Sequence, residues 1–272
     1  MKEKLSHVWA AFCLFTRLPL WRIWSVPADS YRYASHHWMV AGGFAAALVG
    51  AVAFLGCYEV MPTPLCVLLA IVLNLFLTGA FHEDGLADFF DGFGGGHDRA
   101  GILRIMKDSH IGTFGVIALI LYFILTAYCM TQWIGALHRI PHTAFCIWLI
   151  YVMQAIWSRF LASFILALLP YARSEEDAKI KTTYASWRWY NWVYALVVAL
   201  GSYMAFQLLL PYPLPVMEIW LVAPVITMLV LYWKMLTRIK GYTGDCCGAT
   251  VLLCELTMNV TLTCWFFLLG IV

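Results

Sequence analysis

Charge is what this chain has least of. Asp, Glu, Lys and Arg make up 12% of its 272 residues while 63% are apolar, about half the charge density of an ordinary soluble domain. A water-facing shell cannot be built from that supply, so the mean hydropathy of +0.80 reads as an integral membrane protein. Net charge is also close to absent, at +2, without the concentrated basic surface that nucleic acid requires, and no nucleic-acid partner is expected. None of the nine cysteines forms a CxxC pair; the adjacent Cys246 and Cys247 read as small buried apolar side chains on the reducing side. A cleavable signal peptide is not legible either. The patch from Val8 to Leu20 is too short to cross a bilayer, is cut by Arg17 and Pro19, and lacks a cleavage site, so an interfacial or re-entrant segment is expected. With no internal repeat, low-complexity tract or compositional break, residues 1–272 read as a single polytopic membrane domain.

Long apolar runs are what the chain has in plenty. Crossing hydrocarbon takes about 20 helical residues. Runs near that length lie at His37 to Tyr58, Leu65 to Phe81, Thr113 to Trp133, Thr143 to Leu169, Tyr190 to Leu210, Pro215 to Trp233 and Ala249 to Val272. The expected fold is therefore an all-α polytopic membrane protein with about seven transmembrane helices, to which the N-terminal segment and a short amphipathic cytoplasmic helix are added. Its thirteen tryptophans sit mostly near span ends, as in an interfacial aromatic belt. Lys and Arg favour cytoplasmic loops. An inside N-terminus gathers the basic residues of the N-terminal segment and of stretches 99–107, 173–188 and 234–240 on one face, leaving Arg139 opposite.

That same face receives the densest acidic stretch, FHEDGLADFFDGFGGG from Phe81 to Gly96. If the helix that begins near Leu65 runs on through it, Asp84, Asp88 and Asp91 stand at i, i+4 and i+7, within about 60° around the axis. Carboxylates crowded in this way resist ionising together, and a hard divalent cation, Mg²⁺, is the expected neutraliser. The glycines that follow end the helix and open backbone amides to an anion such as pyrophosphate. In ILRIMKDSH, Ile102, Leu103, Ile105 and Met106 form an apolar side, with Arg104, Lys107 and Asp108 at i, i+3 and i+4. An ordinary surface pair there is worth at most ~0.5 kcal/mol. Close tethering to the acidic helix favours a role: cations on substrate phosphates, and Asp108 completing the metal's coordination. His110 reads as interfacial rather than as a proton carrier.

Other polar residues need an account. Asp245, in the glycine-framed turn GYTGDCCGA, is expected to cap the following helix. Glu255, about two turns further into that apolar segment, and Arg159 in QAIWSRFLASF are costly intramembrane charges that pair with each other or serve a substrate. Tyr171 and Arg173 stand on the basic face, where lipid phosphate competes with substrate phosphate. Clustered acids, a cation, a glycine stretch and neighbouring Arg and Lys are the parts needed to cleave a pyrophosphate. No residue stands out as a covalent nucleophile, so the acceptor is expected to be an alcohol, with Asp91 or Asp108 taking its proton.

FHEDGLADFFDG, IMKDSHIGTFG, FTRLP at Phe15 to Pro19, Tyr171-Ala172-Arg173 and TGDCCGA at Thr243 to Ala249 occur in this order. Together they resemble the cobalamin synthase family (CobS, adenosylcobinamide-GDP ribazoletransferase) over nearly the whole chain. The resemblance implies a Mg²⁺-dependent, multi-pass enzyme of the bacterial inner membrane with its active site facing the cytoplasm. It would join adenosylcobinamide-GDP to α-ribazole or its 5′-phosphate and release GMP, the ribazole 3′-hydroxyl attacking the phosphorus nearer the corrinoid. It also implies metal binding by Glu83, Asp84, Asp88, Asp91 and Asp108; the residues themselves add the expected catalytic roles of Asp91 and Asp108 and substrate contacts from Arg17, Arg104, Lys107, Arg159, Arg173 and Asp245. The loop SEEDAK after Arg173 and the Cys246-Cys247 pair depart from the family pattern.

Lipid and the two substrates are the expected partners, with self-association possible. Two other classes offer alternatives. A CDP-alcohol phosphotransferase uses related acidic helices, but its signature places Asp and Arg where Phe81 and Asp88 stand here. An ion-coupled transporter built on Arg159 and Glu255 would gather its polar residues at mid-membrane, whereas the sequence gathers them at one surface.

Overall fold

The computed structural model describes residues 2–137, 142–173, 184–209 and 218–270. Their order is α1 (Lys2–Phe15), 3₁₀ turns at Leu20–Arg22 and Ala28–His36, and α2 (Trp38–Gly50), which runs on into a π-helical stretch (Ala51–Gly56). Then come α3 (Thr63–Thr78), α4 (Phe81–Gly95), α5 (Arg99–Ile105), α6 (Thr113–Leu137), α7 (Thr143–Leu168), α8 (Trp189–Leu209), α9 (Ile219–Arg238) and α10 (Gly244–Leu268). Six of these are long and apolar enough to cross a membrane, taking α2 with its continuation, and the bent pair α3 and α4 makes up to a seventh. The seven apolar runs of the sequence thus become helices. Their expected ends at Leu210, Pro215 and Val272 lie outside the described residues, as do Arg139, Lys179 and Lys181.

The N-terminal segment is the short helix α1, about 21 Å long at 1.5 Å per residue and so too short to span. It rests on the turn Ala28–His36, where Ser30 Oγ donates to Ser6 Oγ at 3.1 Å and the Tyr33 ring stacks on His7. Phe12 meets Phe44 of α2 edge-on.

Continuity from Leu65 through Asp91 is not what the chain adopts. Gly79 (φ 69°) and Ala80 (φ 56°) both take the left-handed conformation, and the chain turns by 90° between α3 and α4. For alanine that conformation costs roughly 1–2 kcal/mol, and the surroundings hold it. Arg17 donates its backbone N–H to Leu77 O at 2.6 Å, and its guanidinium lies where a Cβ on residue 79 would stand. At about 24 Å, α3 alone falls short of the hydrocarbon thickness.

α7 is the central helix: 72% of its span is buried, against 17% for α8. Glycines let α2 approach it closely. A Cβ on Gly43 would stand 2.7 Å from Ile156, and one on Gly50 would stand 2.9 Å from Trp148, the small-residue packing that membrane helices use in place of a hydrophobic drive. One buried cluster surrounds Leu86, Phe89, Ile102, Met106 and Ile165; a second, further along the bundle, surrounds Phe54, Trp133, Ile147 and Ile150.

Candidate active site

α4 is seated by glycine on both partners. A Cβ on Gly85 would meet the Asp245 carbonyl oxygen at 3.0 Å, and one on Gly248 would meet His82 O at 3.2 Å. The start of α10 therefore lies backbone to backbone against α4, and this close seat sets which of its faces stay open. Asp84 is exposed and Asp88 half-buried. One turn apart on one helix, they form the open acidic row.

Asp91 continues the row in angle but not in environment. It is buried and accepts from Gly112 N at 2.7 Å and Gly115 N at 2.8 Å, one amide on each carboxylate oxygen. Here it caps the start of α6 from a neighbouring helix, satisfying amides that no helical carbonyl reaches. The glycines at 112 and 115 are required by this contact, because a Cβ on either would run into the carboxylate. Glu83 points the other way: it is 5% exposed and faces the interior, away from the row. Asp108 is exposed on the loop after α5 and accepts from the backbone amide and ring Nδ1 of His110, both from the side of a 90% exposed imidazole. These bonds hold its carboxyl below the ordinary carboxylate range.

The five acids expected together are therefore dispersed, and among the described residues no group of three or more His, Cys, Asp or Glu side chains is arranged to hold a metal. Mg²⁺ commonly takes only one or two protein carboxylates and completes its octahedron with water and phosphate oxygens. The hard oxygens of Asp84 and Asp88, one turn apart on an open face, fit that requirement.

The glycine run also differs from expectation. Residues Gly92, Gly94 and Gly95 stay inside α4, so their amides belong to the helix ladder rather than to an anion cradle. Gly92 makes room for Met106, and the Gly96 carbonyl accepts from Arg238 at 3.0 Å. α5 ends at Ile105, capped at its start by Asp98, so Arg104, Lys107 and Asp108 do not share a helical face. Instead Lys107 N and Asp108 N close tight turns onto Arg104 O and Ile105 O. Arg104 and Lys107 are both exposed. Arg99 donates to Ala172 O at 2.9 Å. Sequence reasoning missed Arg99 and Arg238 as ties between segments, since a basic residue at a span end looks the same whether it faces water or a carbonyl.

Arg173 has its side chain enclosed, donates to Leu103 O at 3.3 Å and stands 4.0 Å from Asp245. Its Nε has no hydrogen-bond partner. Thr243, not Asp245, caps α10; its hydroxyl accepts from Cys246 N and donates to Asp245. Burial pushes the hydroxyls of neighbouring Tyr171 and Tyr242 further into their neutral range. The SEEDAK loop lies outside the described residues.

The open choice for Arg159 is closed by geometry. It is buried, and Nη1 donates to Glu255 Oε1 at 3.0 Å and to Ala155 O at 2.8 Å; Ser158 also donates to Glu255. The Arg159 guanidinium, on α7, is therefore held by an internal carboxylate. The pair borders a cavity of about 50 Å³ between α2, α3, α4, α6, α7 and α10, which Asn74, His82, Glu83, Gln154 and Asn259 also line. The polar residues are thus not gathered at one surface alone. Asn74, His82, Gln154 and Asn259 went unnoticed in the sequence, although amides within apolar spans were the signal.

The family model described as CobS, cobalamin-5-phosphate synthase, matches residues 7–263. Curated relatives named adenosylcobinamide-GDP ribazoletransferase include one from Shewanella oneidensis, 30% identical over 98% of this chain and 95% of its own length. Another, from Leptospira interrogans, is 30% identical over 90% of this chain and 92% of its own. One from Leptospira biflexa is 35% identical over 64% of this chain and 65% of its own. No solved structure matches. With a match running from α1 into α10 across the acidic helix and every segment that seats it, the chain belongs to the CobS family of cobalamin-5-phosphate synthases.

Proposed function

We propose that the open face of α4 is where this adenosylcobinamide-GDP ribazoletransferase joins its corrinoid nucleotide to α-ribazole or α-ribazole 5′-phosphate. The observation that carries this reading is the family match over residues 7–263 combined with an acidic row, Asp84 and Asp88, that the fold leaves accessible. The ribazole 3′-hydroxyl oxygen bonds to the phosphorus nearer the corrinoid. The bond from that phosphorus to the bridging oxygen breaks, and GMP leaves with the electron pair while the hydroxyl proton is released. Asp84 and Asp88 would hold Mg²⁺, which when bound offsets charge on the phosphoryl oxygens.

The exposed cations Arg104 and Lys107 supply charge for the remaining phosphate oxygens. Asp108 is the carboxylate that takes the proton, a reading supported by Asp91 having both oxygens already engaged by backbone amides. The arrangement of Lys and Arg along the sequence supports an acidic face turned to the cytoplasm of a bacterial inner membrane. The test is GMP release from adenosylcobinamide-GDP by the purified protein, with Mg²⁺ and a ribazole acceptor present or withheld. Release is expected only with both, and Asp84→Asn or Asp88→Asn should abolish it. Release that persists in both variants removes the metal assignment.

A further inference from the structure

The cavity behind α4 has no part in the reaction just described, yet its lining is built for a guest. Its volume of about 50 Å³ decides the size class. A probe sphere needs about 10–15 Å³, and an aromatic ring the size of benzene about 150 Å³. A nucleobase, a ribazole ring or a phosphate ester is therefore excluded, and an ion with a few waters fits.

The charges decide its sign. Arg159 is paired with Glu255 at 3.0 Å, which leaves that couple neutral. Glu83 is the remaining carboxylate of the lining, with no second cationic side chain beside it. Its Oε2 is buried and has no hydrogen-bond partner; the same is true of Thr126 Oγ1 and His82 Nε2, and all three residues are at most 6% exposed. A buried carboxylate without a charge partner is expensive, and either a proton or a bound cation removes the cost; the oxygen donors beside Glu83 favour the cation.

The donors decide the kind of cation. One carboxylate accompanied by hydroxyls and side-chain amides, from Thr126, Asn74 and Gln154, is a hard oxygen set of low charge. Among the described residues no triad of metal-binding side chains is present. That set suits a monovalent ion.

We propose that this cavity is a binding site for a monovalent cation of the sodium or potassium class, with Glu83 and Thr126 as ligands. The ion neutralises the interior face of α4 and fixes the angle between α3 and α4, so it is a structural site distinct from the acidic row outside. The experiment is thermal unfolding of the detergent-solubilised full chain in sodium, potassium or N-methylglucamine chloride at equal ionic strength, without magnesium or substrate. A saturable rise in midpoint with sodium or potassium, absent with the organic cation, is expected. Glu83→Gln should remove the difference between salts, and Thr126→Val should shift its half-saturation to higher salt by about tenfold, the size of one lost ligand interaction of ~1.4 kcal/mol. Asp84→Asn should leave it intact. Equal midpoints in all three salts, as for a cavity holding water alone, overturn the proposal. So does an unchanged salt response in Thr126→Val, which is the deciding variant if Glu83→Gln does not fold. Failure of the GMP-release assay would leave this result unaffected, since no reactant enters it.

Discussion

Replacing Asp91 by alanine separates two roles that the sequence assigns together. In the structure the carboxylate accepts one amide on each oxygen, Gly112 N at 2.7 Å and Gly115 N at 2.8 Å, in a buried position. Hydrogen bonds to a charged group contribute about 1.5–3 kcal/mol each, and loss of a helix cap costs up to about 2 kcal/mol. The two bonds share one carboxylate and are not additive, so a loss of about 2–4 kcal/mol is expected for Asp91→Ala. For a chain of this size that corresponds to a midpoint lower by roughly 10 °C. Asp91→Asn should cost less, because its carbonyl still accepts one amide while its NH₂ opposes the other. Gly115→Ala should reproduce the alanine variant from the opposite side, since its Cβ would displace the carboxylate. The assay is thermal unfolding in detergent by circular dichroism, paired with GMP release measured well below each variant's own midpoint. The rate per folded molecule should stay within about tenfold of wild type, one 1.4 kcal/mol step. An unchanged midpoint with a rate lower by about a hundredfold or more would refute the reasoning and make Asp91 a participant in the reaction.

Two further outcomes follow from buried polar contacts. Arg159→Met leaves the half-buried Glu255 without its charge partner and should destabilise the fold by about 2–3 kcal/mol, whereas the doubly apolar variant Arg159→Met with Glu255→Leu should regain most of it; wild-type midpoints in the single variant would deny the pair. His36, bonded through Nε2 to Ala185 O at 3.3 Å and packed on Trp187, has its pKa lowered to about 4 by burial. The unfolded chain therefore binds more protons between about pH 6.5 and pH 4. Stability should fall as pH drops through that window and level off below it, and His36→Gln should flatten this part of the midpoint-versus-pH curve; an unaltered curve would place the acid sensitivity elsewhere.

Helix count and membrane insertion were legible in the sequence because each is a one-dimensional property. A run of apolar residues must satisfy its own backbone in lipid, and helix is the available way to do so. The motifs were legible for the same reason, since spacing along α4 fixes the angle between Asp84, Asp88 and Asp91. What spacing cannot fix is which neighbour arrives at each angle. Asp91 shares the sector of Asp84 but meets the amides of α6, and Glu83, one residue before Asp84, faces an interior cavity instead of the open face.

Arg159 shows the same division. Its cost in an apolar helix was evident from the sequence, and its partner was narrowed to Glu255 or a substrate. Only the packing of α7 against α10 brings the two within 3.0 Å. The 90° turn at Gly79 and Ala80 likewise had no local signature beyond one glycine, because an alanine enters the left-handed region only when surrounding contacts hold it there. Sequence by itself determined a multi-pass helical protein, its family and the identity of its acids. Tertiary structure alone decided which acids face water, which cap a helix and which turn inward, because side-chain environment is set by contacts between segments far apart in the chain.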